Sequence, residues 1–127
     1  METHVLVVDD NPDSGIIISR ILRPHGYRVT VAQTGGQALD CVKQEPPDVV
    51  LLDVMMPEMS GLEVLQRLKD EYGTGNIPVI LVTARTQDDD VVTGYQYGAD
   101  YYITKPFTAK QLLYGLNLVL SKEDGAA

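Results

Sequence analysis

Short apolar runs alternate with amphipathic runs along the whole chain. The apolar, strand-like runs are VLVV (5–8), YRVTV (27–31), DVVLL (48–52), PVILV (78–82) and YYIT (101–104). The first, third and fourth are aliphatic throughout, as expected of strands covered on both faces. Between them, apolar residues recur at helical spacing. Residues 13–23 place Ile17, Ile18, Ile21 and Leu22 on one stripe, and 36–45 place Ala38, Leu39 and Val42 on another. Residues 61–72 carry Leu62, Leu65 and Leu68, and 108–121 carry Leu112, Leu113, Leu116, Val119 and Leu120. A weaker helix is predicted over 87–97, with Val91, Val92 and Tyr95, and with Asp88 and Asp89 at its positive N-terminal end. Pro24 and His25-Gly26 end the first helix, and Ser60-Gly61 reads as a helix cap.

Five β-then-α units with short connections predict a parallel sheet with helices on both faces. Five are too few for a closed eight-stranded barrel. The expected fold is therefore an open, doubly wound α/β sheet, which binds ligands beyond the carboxyl ends of its strands. The 127 residues suit one domain that buries roughly two-thirds of its unfolded surface.

Charge and cysteine content narrow the function. A net charge of −8 opposes nucleic-acid contact, which needs basic surface. The single cysteine, Cys41, allows no internal disulfide and is expected to be a partly buried thiol, which points to a reducing, cytoplasmic setting. No apolar run approaches the length of a membrane span, and the N-terminus has no signal-peptide pattern, so no membrane contact is expected.

The chemistry lies at the strand ends. Asp9 and Asp10 follow the first strand, Asp53 the third, Thr83 the fourth and Lys105 the fifth. In a parallel sheet these ends share one edge, so three carboxylates, a hydroxyl and an ammonium converge. One lysine does not neutralise three carboxylates. A divalent cation does, and oxygen ligands without histidine or cysteine suit magnesium, with manganese as an alternative. A carboxylate can itself be a nucleophile toward phosphorus. Cation and lysine would then neutralise the transferring group. His4 and His25 have no partner in sequence and read as structural or solvated.

The segments VLVVDD, VVLLDVMMPEMSG, VILVTA and GADYYITKPF resemble the receiver domains of two-component response regulators, the CheY-like superfamily. The resemblance covers about residues 4 to 121. It implies a flavodoxin-like sheet of strand order 2-1-3-4-5. It divides the chain into a receiver domain, 1–121, and a polar C-terminal tail or start of a linker, 122–127.

The resemblance also assigns roles. Asp53 is the expected phosphoacceptor. Asp9, Asp10, Asp53 and the carbonyl of Met55 are the expected magnesium ligands. Lys105 and the N–H groups of Met55 and Ala84 would contact the phosphoryl group. Thr83 would hydrogen-bond it, and Tyr102 would turn inward. The Lys105–Pro106 bond would be cis. Arg85 and Met55 are placed to govern water access to the phosphoryl group. The donor would be a sensor histidine kinase or a histidine phosphotransfer protein, with Ile16 as one contact. A downstream protein target or effector domain would bind residues 88–120, where Tyr95, Tyr97, Tyr101, Tyr102 and Tyr114 cluster. The aromatic character of that face, and its apolar last helix KQLLYGLNLVL, imply an aromatic contact with a target or a second copy. The protein would be a monomer or a phosphorylation-dependent dimer, and a switch rather than an enzyme. The competing classes are a phosphate-independent interaction module and a phosphatase with an aspartyl-phosphate intermediate. The intact acid cluster opposes the first. The second is opposed because the sequence offers no second acid placed to assist a leaving group and no insertion long enough to form a substrate cap.

Overall fold

The computed structural model describes residues 2–54, 56, 59–72, 77–84 and 98–123, with the main chain alone described for Tyr72, Thr83, Lys122 and Glu123. The elements in order are β1 (His4–Val8), α1 (Pro12–Leu22), a 3-10 turn (Arg23–His25), β2 (Arg28–Ala32), α2 (Gly35–Gln44), β3 (Val49–Leu52), α3 (Gly61–Tyr72), β4 (Val79–Thr83), β5 (Tyr101–Thr104) and α4 (Ala109–Glu123). The helix expected over 87–97 lies outside the described residues.

The strands form one parallel sheet in the order β2-β1-β3-β4-β5, as the resemblance implied. Alternation along each strand sends side chains to two cores. Leu6 and Val8 of β1, Val50 and Leu52 of β3, and Val79 and Leu81 of β4 pack with Ala38, Val42, Val64, Leu65 and Leu68 of α2 and α3. Val5, Val7, Val49, Leu51, Ile80, Val82 and Ile103 pack on the other face with Ile18 and Leu22 of α1 and Leu112, Leu116 and Val119 of α4. β1 and β3 are buried along their whole lengths, as their aliphatic composition predicts.

One local expectation changes, and two further residues take environments that the sequence did not assign. Ile17, expected on the buried stripe of α1, is 52% exposed. The buried line of that helix runs through Gly15, Ile18 and Leu22, which leaves Ile17 on the flank facing residues 105–107. Val31 is 39% exposed because β2 is an edge strand that α1 covers only in part. Lys69, on a charged stretch of α3, is buried, donating to the Ile77 carbonyl at 3.0 Å and to Asp100 at 3.3 Å.

Candidate functional site

Sheet order and register bring the acids together. β1 and β3 are neighbours, with Val8 level with Leu52, so the next residues, Asp9 and Asp53, emerge side by side. The Asp53 amide donates to the Val8 carbonyl at 2.9 Å, and the Asp9 amide to the Ala32 carbonyl at 3.0 Å. Both carboxylates are thereby carried to the carboxyl edge on rigid main chain. Asp9 and Asp53 are buried, while Asp10 is exposed. Each of the three offers a carboxylate oxygen within 4.8 Å of the others.

Lys105 makes the crowding tolerable. Its ammonium lies 2.6 Å from Asp9 Oδ2 and 3.5 Å from Asp53 Oδ2. Partial burial pulls the lysine pKa down. The Asp9 hydrogen bond and the charges of Asp53 and Asp9 outweigh that, so it stands above its usual value and the ammonium is retained. The Lys105–Pro106 peptide is cis, as the resemblance implied.

Two further polar groups join the site that the sequence did not single out. The Asn11 amide donates to Asp9 Oδ1 at 2.9 Å, while its side chain caps α1 by accepting from the Asp13 amide at 3.0 Å. Asn before Pro12 is a legible cap, and its amide reaches Asp9 across only two residues, as in a local Asx turn. The Ser14 hydroxyl lies 3.4 Å from Lys105 Nζ. Its partner is 91 residues away, and only the position one helical turn after Asp10 hinted at it.

The remaining candidates divide. Thr83 ends β4 level with Thr104 of β5, so its main chain reaches the same edge. Ala84 is exposed and lines a cavity of about 420 Å³ with Ser14, Ile17, Lys105, Pro106 and Phe107. Tyr102 is half-buried, packed on the α2–α3 side of the sheet. Met55, Arg85, Tyr95 and Tyr97 lie outside the described residues. Ile16 is exposed, and Cys41 is partly buried as expected. His25 is exposed, and His4 is buried with Nε2 at 2.8 Å from Thr30 Oγ1.

A family model described as the response regulator receiver domain matches residues 5–117. The chain belongs to that family. The receiver is 39% identical to Protein PilH of Pseudomonas aeruginosa over 118 residues, covering 93% of this chain and 98% of that one. It is 41% identical to the probable transcriptional regulatory protein TcrX of Mycobacterium tuberculosis, covering 93% of this chain but 50% of that protein. The receiver thus spans about half of TcrX and nearly all of PilH. Among solved structures, a CheY-like receiver from Methanospirillum hungatei superposes with a TM-score of 0.92 at 28% identity, each chain fully covered. Chemotaxis protein CheY4 of Vibrio cholerae does so with a TM-score of 0.89 at 31% identity, covering 94% of this chain and all of that one. These relatives establish a CheY-like, flavodoxin-like receiver domain, a signalling module of two-component systems. Among the described residues, no helix is long and apolar enough to cross a membrane.

Proposed function

We propose that this receiver takes a phosphoryl group from a phosphohistidine onto Asp53 in a magnesium-dependent step. The observation that carries the proposal is the trio Asp9, Asp10 and Asp53, with oxygens within 4.8 Å of one another and Lys105 bridging Asp9 and Asp53. The donor set is all carboxylate, with Asp10 open to solvent, and that chemistry fits a hard divalent cation which keeps some of its waters. Asp9, Asp10, Asp53 and the Met55 carbonyl would hold it. When bound, magnesium supplies charge that stabilises the oxygens of the transferring group.

The chain's own residues do the rest. An Asp53 oxygen attacks phosphorus, the N–P bond of the donor breaks, and the imidazole leaves with the electron pair of that bond. Lys105 neutralises an equatorial oxygen through its retained positive charge. Asp9 is held by the Asn11 amide and by Lys105 and would help to hold the metal partly through water, whereas exposed Asp10 would hold it directly. The Thr83 hydroxyl and the Met55 and Ala84 amides would receive the phosphoryl oxygens.

Phosphorylation would bias a two-state equilibrium through Thr83 and Tyr102 toward the face at residues 88–120. Tyr101, Tyr114, Lys110 and Gln111 of that face line a cavity of about 360 Å³, and Tyr114 is 58% exposed. This aromatic surface supports output by protein contact, with an effector domain, a separate target or a second copy. The acidic net charge disfavours direct nucleic-acid contact. The phosphoryl donor is a sensor histidine kinase or a histidine phosphotransfer protein, and the setting is cytoplasmic.

Incubation with magnesium and acetyl phosphate, followed by intact-protein mass spectrometry, tests the proposal. The expected product is a single phosphoryl adduct, stable in acid, labile in base, and absent from Asp53→Asn. A folded wild-type protein that gains no mass would refute it.

A further inference from the structure

The Ser60-Gly61 step does more than begin a helix. α3 starts directly against the main chain of the acceptor. The Gly61 amide donates to the Val54 carbonyl at 3.0 Å. A Cβ added at Gly61 would stand 2.1 Å from the Asp53 carbonyl oxygen, 2.7 Å from Val54 Cα and 2.8 Å from the Asp53 carbonyl carbon. All three are main-chain atoms, which do not swing aside as the tip of a side chain does. Gly61 is not held at positive φ, so its backbone is one that any residue adopts. Space alone demands glycine here.

Other glycines make a contrast. Gly35 would meet the Met59 sulfur at 2.7 Å and a Val64 methyl at 2.8 Å, and Gly115 would meet Ile103 and the Tyr101 ring at 3.0–3.1 Å. These are side-chain atoms. Among the glycines whose neighbours are described, Gly61 has its three nearest contacts all on main chain, two of them atoms of Asp53.

We infer that Gly61 is a positioning residue for Asp53: its missing side chain lets the first turn of α3 clamp the acceptor's main chain and fix its carboxylate relative to Asp9, Asp10 and Lys105. The inference rests on the reading of Asp53 as acceptor. α3 holds this pose from its far side, where Val64, Leu65 and Leu68 are buried against the sheet. A methyl at position 61 must push the Asp53–Val54 peptide away from α3. The Asp53 amide is bonded to Val8, the residue before Asp9, so the displacement falls on the spacing of the two carboxylates.

The test compares Gly61→Ala with Val119→Ala, which removes core volume on the opposite face of the sheet and so controls for lost stability. Thermal unfolding, phosphorylation rate from acetyl phosphate at saturating magnesium, and magnesium affinity by calorimetric titration are measured on both. Folded Gly61→Ala is expected to be phosphorylated on the order of tenfold to a hundredfold more slowly, the scale of a misplacement approaching 1 Å, and to bind magnesium more weakly. Val119→Ala should keep the wild-type rate and affinity at an equal or larger loss of thermal stability. A folded Gly61→Ala with wild-type rate and affinity overturns the inference, as does an equal slowing in Val119→Ala. If Gly61→Ala does not fold, Leu65→Ala loosens the same helix one turn later, and an Asp53 rate equal to that of Val119→Ala overturns the inference. Absence of an adduct on the wild type defeats the acceptor reading instead. Magnesium affinity then still reports whether residue 61 sets the spacing of the carboxylates.

Discussion

At the scale of single residues, charge and burial decide behaviour. Asp10 is the one exposed carboxylate of the trio, and it sits beside two buried ones. Lys105 is engaged with Asp9 and Asp53, so Asp10 contributes repulsion until a cation arrives. Asp10→Ala is therefore expected to unfold at the same or a higher temperature in chelator, and to lose on the order of tenfold or more in magnesium affinity, about 1.4 kcal/mol. Lower stability in chelator with normal magnesium binding would show that the roles of Asp9 and Asp10 are misassigned.

His4 is a second case, at the opposite edge of the sheet. Its Nδ1 is buried with no hydrogen-bond partner among the described residues. Burial pushes the pKa below 6.5, the nearby Arg28 charge adds to this, and Glu45 and Asp48 partly oppose it. The unfolded chain then takes up a proton at higher pH than the folded one. The stability this group contributes is present above 6.5 and falls as the pH drops toward the lowered folded-state value. Below that value its slope vanishes. His4→Gln should flatten that part of the stability–pH curve in urea titrations, and an unchanged slope between pH 5 and 7, a window set by the ordinary histidine range of about 6.5, would contradict this account.

At the scale of elements, helices were legible from their apolar period and the inner strands from short, wholly aliphatic runs. The wholly aliphatic β1 and β3 send alternate residues into the two cores, and period 3.6 in α2 and α3 survives in the buried set beneath them. The end of α1 was legible for a local reason. Gly26 takes φ +88° and donates to the Arg23 carbonyl at 3.0 Å, the left-handed stop that the Pro-His-Gly sequence promised. A Cβ at Gly26 meets nothing within 4 Å, so Gly26→Ala carries only the conformational cost, about 1–2 kcal/mol. Chemical denaturation should show that loss without a change in m-value. A loss near zero would mean the turn relaxes. Periodicity misassigned one position, on the flank of α1. Ile17 left its expected environment because exposure depends on which neighbour covers a flank, and the helix stripe does not contain that information.

For the whole molecule, the sheet divides the interior into two cores that, among the described residues, share no side chain. Leu6→Ala opens the α2–α3 side and Leu112→Ala the α1–α4 side, each costing about 2–5 kcal/mol. Their effects are expected to add within about 0.5 kcal/mol, since neither side chain touches the other's cluster. Strong coupling in a double-mutant cycle would mean that the sheet transmits packing between its faces.

The chain's sequence by itself determined the five-unit α/β pattern, the identity of the acids, lysine and threonine at strand ends, and through VLVVDD, LLDVMMPEMSG and ITKPF the receiver family. These depend on local period and on residue type at an element's end, which a one-dimensional pattern carries. Tertiary structure decided which carboxylate is exposed, that Lys105 bridges Asp9 and Asp53, that Ser14 joins them, and that Gly61 is pressed against the acceptor's main chain. Each of these is a contact between different elements of the fold, or a space closed between them. Their distances follow from strand order, register and helix placement, which appear only when the chain has folded.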